Sequence, residues 1–195
     1  MIFASKQNMT RLLLLFLAVG AVSCGQDSDN PKTASPASEA PVTETAPAAE
    51  TPEPPFMQEG VLEFRTPESG KPLVRLEIEI APNSDERAQG LMWRKKMAEK
   101  QAMLFVFDQM EPQSFWMHNT YLPLDMIFLN DRFEVVKILK NIPALNDAPR
   151  QSGVPAQYVV EVNAGIADRF GIREGSKAAW ADWTTNKSFG GEISL

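Results

Sequence analysis

A mainly β domain, an antiparallel sandwich or jelly-roll-like barrel with one or two short helices, is the fold class this sequence predicts. Three observations carry the expectation. Seven or eight short apolar or alternating segments recur along residues 60–183, each bounded by glycine, proline, asparagine or aspartate. No long helical periodicity separates them, so a parallel sheet with crossover helices is not indicated. The chain has 195 residues, 44% of them apolar, enough for one core once the proline-rich N-terminal quarter is set aside.

The elements follow in order. Residues 61–65 and 73–80 read as a hairpin, with Gly70, Pro67 and Pro72 in the turn. In the second strand Val74, Leu76, Ile78 and Ile80 share one face and Arg75, Glu77 and Glu79 the other. Asn83 or Ser84 caps a short helix over residues 85–89, with acids in its first turn and Gly90 as its stop. A buried-type run covers residues 102–107, and residues 115–118 read as a short strand that turns at Asn119 and Thr120. Pro123 starts a strand over residues 124–129, and a tight connection at 130–132 leads into the β-branched run 133–139. Residues 141–156 read as a long loop, 158–163 as a strand, 166–170 as a short helix and 177–183 as the last strand.

Composition narrows the function classes. The net charge of −6 divides into +2 over residues 1–24, −5 over 25–56 and −3 over the rest, so no basic patch for nucleic acid is expected. Cys24 is the only cysteine and His118 the only histidine, which excludes an intramolecular disulfide, a multi-thiolate metal site and a histidine-rich zinc centre. No metal and no cofactor is therefore expected. Six methionines between Met92 and Met126 invite a soft ion such as Cu(I), but they are scattered among Leu, Phe and Ile, the pattern of gap-filling core residues.

The N-terminus reads as an address. Residues 12–22 are an apolar run after Lys6 and Arg11, shorter than the ~20 residues that a membrane span requires. Residues 1–23 are accordingly an export signal, with Met1 and Met9 both workable starts. The stretch Ala21-Val22-Ser23-Cys24-Gly25 resembles a bacterial lipobox, which implies acylation of Cys24 and anchoring to a membrane of the cell envelope, facing the periplasm. By that resemblance Gly25, rather than an aspartate, favours the outer membrane over the inner; ordinary secretory cleavage is the alternative. Residues 24–56 hold seven of the fifteen prolines and no aromatic before Phe56, the composition of a disordered tether. Residues 57–195 are left as the folded domain.

Five stretches together are similar to the DUF192 family: Gly90-Leu91-Met92-Trp93-Arg94, Ala102-Met103-Leu104-Phe105, Phe115-Trp116-Met117-His118-Asn119-Thr120, Leu122-Pro123-Leu124-Asp125 with Phe128, and Glu161-Val162-Asn163-Ala164-Gly165. The resemblance implies a compact, mostly β, jelly-roll-like domain, often exported, and brings no activity with it. The chain departs from the family at His118, where Lys or Arg is common, and at Ala102, where Gly is common. A position open to an ammonium or a guanidinium is not obligatorily a base, so His118 is given no catalytic role.

The polar centre is expected around Arg94, Trp116, Asn119, Thr120, Asp125, Glu161 and Asn163. Glu161 and Asn163 share a strand face by spacing, while Asn119, Thr120 and Asp125 fall within seven residues beside Trp116. An aromatic wall with a few directed polar groups is the make-up of a small-ligand or glycan pocket. The competing structural reading has Asn119-Thr120 as turn chemistry and the two acids neutralised by Arg94 or Arg87. A hydrolase of envelope polymers could use Asp125 and Glu161 as an acid–base pair, which requires a separation of about 5 to 9.5 Å; no nucleophile elbow, Cys–His pair or phosphate loop is present. A partner-protein adaptor would instead show a large exposed apolar patch. A monomeric, non-enzymatic binding module of the envelope is the leading expectation.

Overall fold

The computed structural model describes residues 52–191 and Ile193; the expected export signal, Cys24 and the expected tether up to residue 51 lie outside them. One eight-stranded sheet runs through β1 (Gly60–Arg65), β2 (Pro72–Ala81), β3 (Gln101–Phe115), β4 (Leu124–Leu129), β5 (Val135–Ile142), β6 (Arg150–Asn163), β7 (Lys177–Asp182) and β8 (Lys187–Phe189), with short helices α1 (Ser84–Gln89) and α2 (Ile166–Arg169). The order across the sheet is β5-β4-β6-β3-β2-β1-β7-β8. The mainly β class with two short helices is thus the observed one. Every neighbouring pair is antiparallel except β2 and β3, which are parallel. Parallel neighbours need a crossover, and here residues 82–100, with α1 inside them, supply it.

The sheet is not closed into a barrel by a ladder, yet its ends approach. Glu134 bridges to Lys177, Val135 N–H donates to Ser176 O at 2.8 Å, and Ala178 N–H donates to Phe133 O at 2.8 Å. The join is filled by Trp180, whose ring lies 4.8 Å from those of Phe133 and Tyr158 and stacks on Phe189 at 5.0 Å. Trp183, three residues on, is half exposed.

Two corrections concern lengths. β3 is a single 15-residue strand that absorbs residues 102–107 and ends at Phe115, so 116–118 is loop. Its partner β6 begins at Arg150, which shortens the expected loop of 141–156 to residues 143–149. The two pair along most of their length, and the register slips where Pro112 faces Pro155, two residues without an N–H to give.

β4, the first half of β3 and the last residues of β6 are buried on both faces. On one, Leu62, Phe64, Leu76, Leu104, Val160 and Trp180 form the larger core. On the other, Leu91, Met103, Phe105, Met117, Met126 and Phe128 form a second core, in which the methionines fill gaps between aromatic rings. α1 and residues 90–98 help to cover this second face. α1 is capped by Asn83, whose Oδ1 accepts from Asp85 N–H at 3.1 Å and Glu86 N–H at 3.0 Å. Gly90 ends it at φ 46°, where a Cβ would meet the Phe105 ring at 3.2 Å.

Candidate functional site

Residue parity across the ladders decides which polar groups can meet. Glu161 of β6 lies opposite Met103 of β3 and Met126 of β4, and Met103 lies opposite Glu79 of β2. These four form one row on the second face. Asp125 lies opposite Val162 and therefore projects from the other face. The expected grouping is corrected on this point: Asp125 and Glu161, on adjacent strands but one step out of phase, are divided by the sheet and cannot flank a common glycosidic bond. Asp125 is fully buried, and its work is structural. Its Oδ1 accepts from Asn141 N–H at 2.8 Å and its Oδ2 from Ala167 N–H at 3.0 Å, so that it caps α2 from a neighbouring strand.

The other six candidates do lie on the second face or on the segments that cover it. Arg94 is buried, and its Nη2 reaches the Glu79 carboxylate at 2.7 Å and Pro55 O at 3.4 Å. Its Nε–H finds no acceptor among the described residues. Asn163 Nδ2 donates to Met97 O at 2.9 Å and Ala98 O at 3.2 Å, fixing the loop before β3. Asn119 sits at φ 50° and its carbonyl accepts from Trp93 N–H at 2.8 Å, which ties the 116–123 loop to the Arg94 segment. Thr120 is buried and donates its hydroxyl to His118 O at 3.1 Å. Trp116 is half exposed and stacks on His118 with centroids 5.0 Å apart. His118 in turn pairs with Asp147 at 2.9 Å.

Residues outside the expected set complete the picture. Glu79 is buried against Arg94 and also accepts from Met57 N–H at 2.8 Å. The end of the presumed tether is docked: Glu53 Oε1 accepts from Lys95 and Lys96 N–H at 3.0 and 3.1 Å. The strap formed by residues 53–57 thus lies over the Arg94 segment. Only the run Pro52-Glu53-Pro54-Pro55-Phe56 hinted at it, through the aromatic that ends the expected tether.

Hollows open around this cover. One, about 610 Å³, lies between Pro54, Pro55 and Phe56 of the strap and Arg94, Lys96 and Gln101 opposite. A second, about 170 Å³, lies along Met57, Glu79, Arg94 and Met103. A third, about 30 Å³, has Glu161, Phe105, Thr120, Trp116 and Met92 among its walls. Glu161 is 4% exposed and makes no hydrogen bond within the described residues, and burial pushes its carboxyl up to about 8. No group of three or more His, Cys, Asp or Glu residues is arranged to hold a metal ion among the described residues.

A curled, mainly antiparallel sheet whose second face is roofed by a helix, a loop and a docked N-terminal strap, with its polar side chains gathered under that roof, defines the class of domain. The family profile for DUF192, described as "Uncharacterized ACR", matches residues 65–180, and the chain belongs to that family. Two solved structures are similar to it. One, from Sinorhizobium meliloti and provisionally described as a transcription regulator, is 35% identical with a TM-score of 0.59, the alignment covering 64% of this chain and 96% of that one. The other, a protein of unknown function from Novosphingobium aromaticivorans, is 32% identical with a TM-score of 0.57, covering 60% of this chain and 82% of that one. No curated protein matches.

Proposed function

We propose that this protein is a lipid-anchored binding module of the bacterial cell envelope, whose groove at Arg94 takes a small glycan fragment bearing acceptor oxygens. The observation that carries the reading is a buried arginine whose Nε–H has no acceptor among the described residues, in the wall of a groove of about 610 Å³. Buried donors are almost always satisfied, and a hollow of this size is within the range that holds small molecules. Pro54, Pro55 and Phe56 supply apolar area, and Lys96 and Gln101 supply further donors. The hydrolase alternative loses its acid–base pair, because Asp125 and Glu161 project from opposite faces.

The test is calorimetric titration of the full mature chain with a peptidoglycan disaccharide. Arg94→Lys keeps a cation beside Glu79 and removes the Nε–H. One hydrogen bond to a charged donor is worth about 1.5–2 kcal/mol here, so affinity should fall roughly 10- to 30-fold. Absence of binding at millimolar ligand, or equal affinity of the variant, overturns the groove assignment. The anchor has its own test. A fatty-acid analogue should label wild-type cells and not Cys24→Ala; equal labelling removes the lipoprotein part.

A further inference from the structure

The hollow at Glu161 is separate from the Arg94 groove, and no wall residue is common to both. We propose that it is a second binding site, a socket for the primary ammonium end of a small organic cation, with Glu161 as the counter-charge and Trp116 as the aromatic lip.

Size comes first. A cavity must offer about 10–15 Å³ to hold one water-sized group, so about 30 Å³ admits a terminus of two non-hydrogen atoms. A methylene and its ammonium nitrogen fit that allowance, whereas a quaternary ammonium with its ring of methyl groups does not. Chemistry comes next. The walls Leu91, Phe105 and Phe115 are apolar, and the polar side chains among them are Glu161, Thr120, Gln89 and Arg87. Glu161 has no partner within the described residues. Thr120 has committed its hydroxyl proton to His118 O, which leaves its oxygen free to accept. Arg87 also borders the hollow, but its Nη1 donates to Pro82 O at 2.6 Å and Val106 O at 2.7 Å, and its guanidinium lies 5.0 Å from the Phe107 ring centroid. Gln89 can turn either end of its amide inward. A group with three donors and a positive charge complements such a lining better than a neutral hydroxyl does. Trp116, backed by His118 and half exposed, offers the indole surface on which a cation gains further attraction.

Occupancy is coupled to a proton. Burial keeps the empty Glu161 carboxyl largely neutral at pH 7, and an entering ammonium reverses that, so close to one proton leaves per cation bound. The ionisable groups near it are Arg87 from α1 and His118 behind Trp116; the positions opposite it on β3 and β4 are Met103 and Met126.

The experiment uses the full mature chain, titrated calorimetrically with ethanolamine, ethylene glycol and choline at pH 6, 7 and 8 in two buffers of different ionisation enthalpy. Ethanolamine should bind at least tenfold more tightly than either of the others, gain close to tenfold in affinity per pH unit up to about 8, and release about one proton at pH 7. Glu161→Gln should abolish both the preference and the proton release, and Trp116→Ala should weaken binding severalfold. Unchanged circular dichroism of both variants shows that the fold survives. Equal affinity for ethylene glycol, binding without proton release, or no binding by any of the three overturns the socket. Because Arg94→Lys leaves this hollow untouched, failure here and failure of the glycan groove are read separately.

Discussion

Replacing Glu161 by glutamine should change how the protein's stability responds to pH. The carboxyl is displaced by burial from its ordinary value of 4.5 to about 8. In the unfolded chain Glu161 sheds its proton near pH 4.5; in the folded protein it holds it until about pH 8. Between those values the folded state binds the extra proton, so stability falls as pH rises, by ~1.4 kcal/mol per unit. The contribution is whole below pH 4.5 and gone above about pH 8. A span of ~3.5 units sets a ceiling of roughly 5 kcal/mol, and local relaxation lowers it to about 2–5 kcal/mol. Glutamine has the same shape and no titration, so the variant lacks this slope and is the more stable protein at pH 8. Urea unfolding of both proteins at pH 5, 6.5 and 8 measures the difference. Parallel stability–pH curves for the two would refute the reasoning, because they would mean that Glu161 titrates alike in the folded and unfolded chains.

Three further perturbations follow from the packing. Asp125→Asn leaves one oxygen for two N–H groups, that of Ala167 buried, and should cost about 1–3 kcal/mol in urea unfolding with the m-value unchanged. Arg94→Met strands the Glu79 carboxylate beneath the strap and should cost about 3–5 kcal/mol, with new cleavage by protease near residues 53–57. Gly60→Ala would place a Cβ 2.2 Å from Ala181 O, so it must part β1 from β7; a thermal midpoint at least ~8 °C lower is expected, read by circular dichroism.

Much of the fold was legible because period-two alternation and turn residues report local geometry directly. β2 shows the alternation, Asn83 and Gly90 bracket α1, and Pro123 immediately precedes β4. Strand direction leaves no such trace, so the parallel pairing of β2 and β3 was hidden. The length of β3 was hidden as well, since Asp108–Gln113 is largely exposed and carries no apolar pattern. Within the site, Glu161 and Asn163 were placed correctly on one face from their two-residue spacing. Asp125 was not, because all six residues of β4 are buried and no polar alternation marks which side each takes. Glu79 does take the face that alternation assigns to it, opposite Ile78 and Ile80; what left no local trace is the strap, more than twenty residues away in sequence, that buries that face.

The approach of Phe133, Glu134 and Val135 to residues 175–178 has a consequence for solubility. Unpaired strand margins are where like proteins zip together into aggregates, and they are most dangerous when long and flat. Here one margin begins already stitched to β7, and the other is finished by a three-residue strand followed by Gly190 and Gly191. What is left for a neighbouring copy to extend is then chiefly the outer edge of β5 beyond Val135.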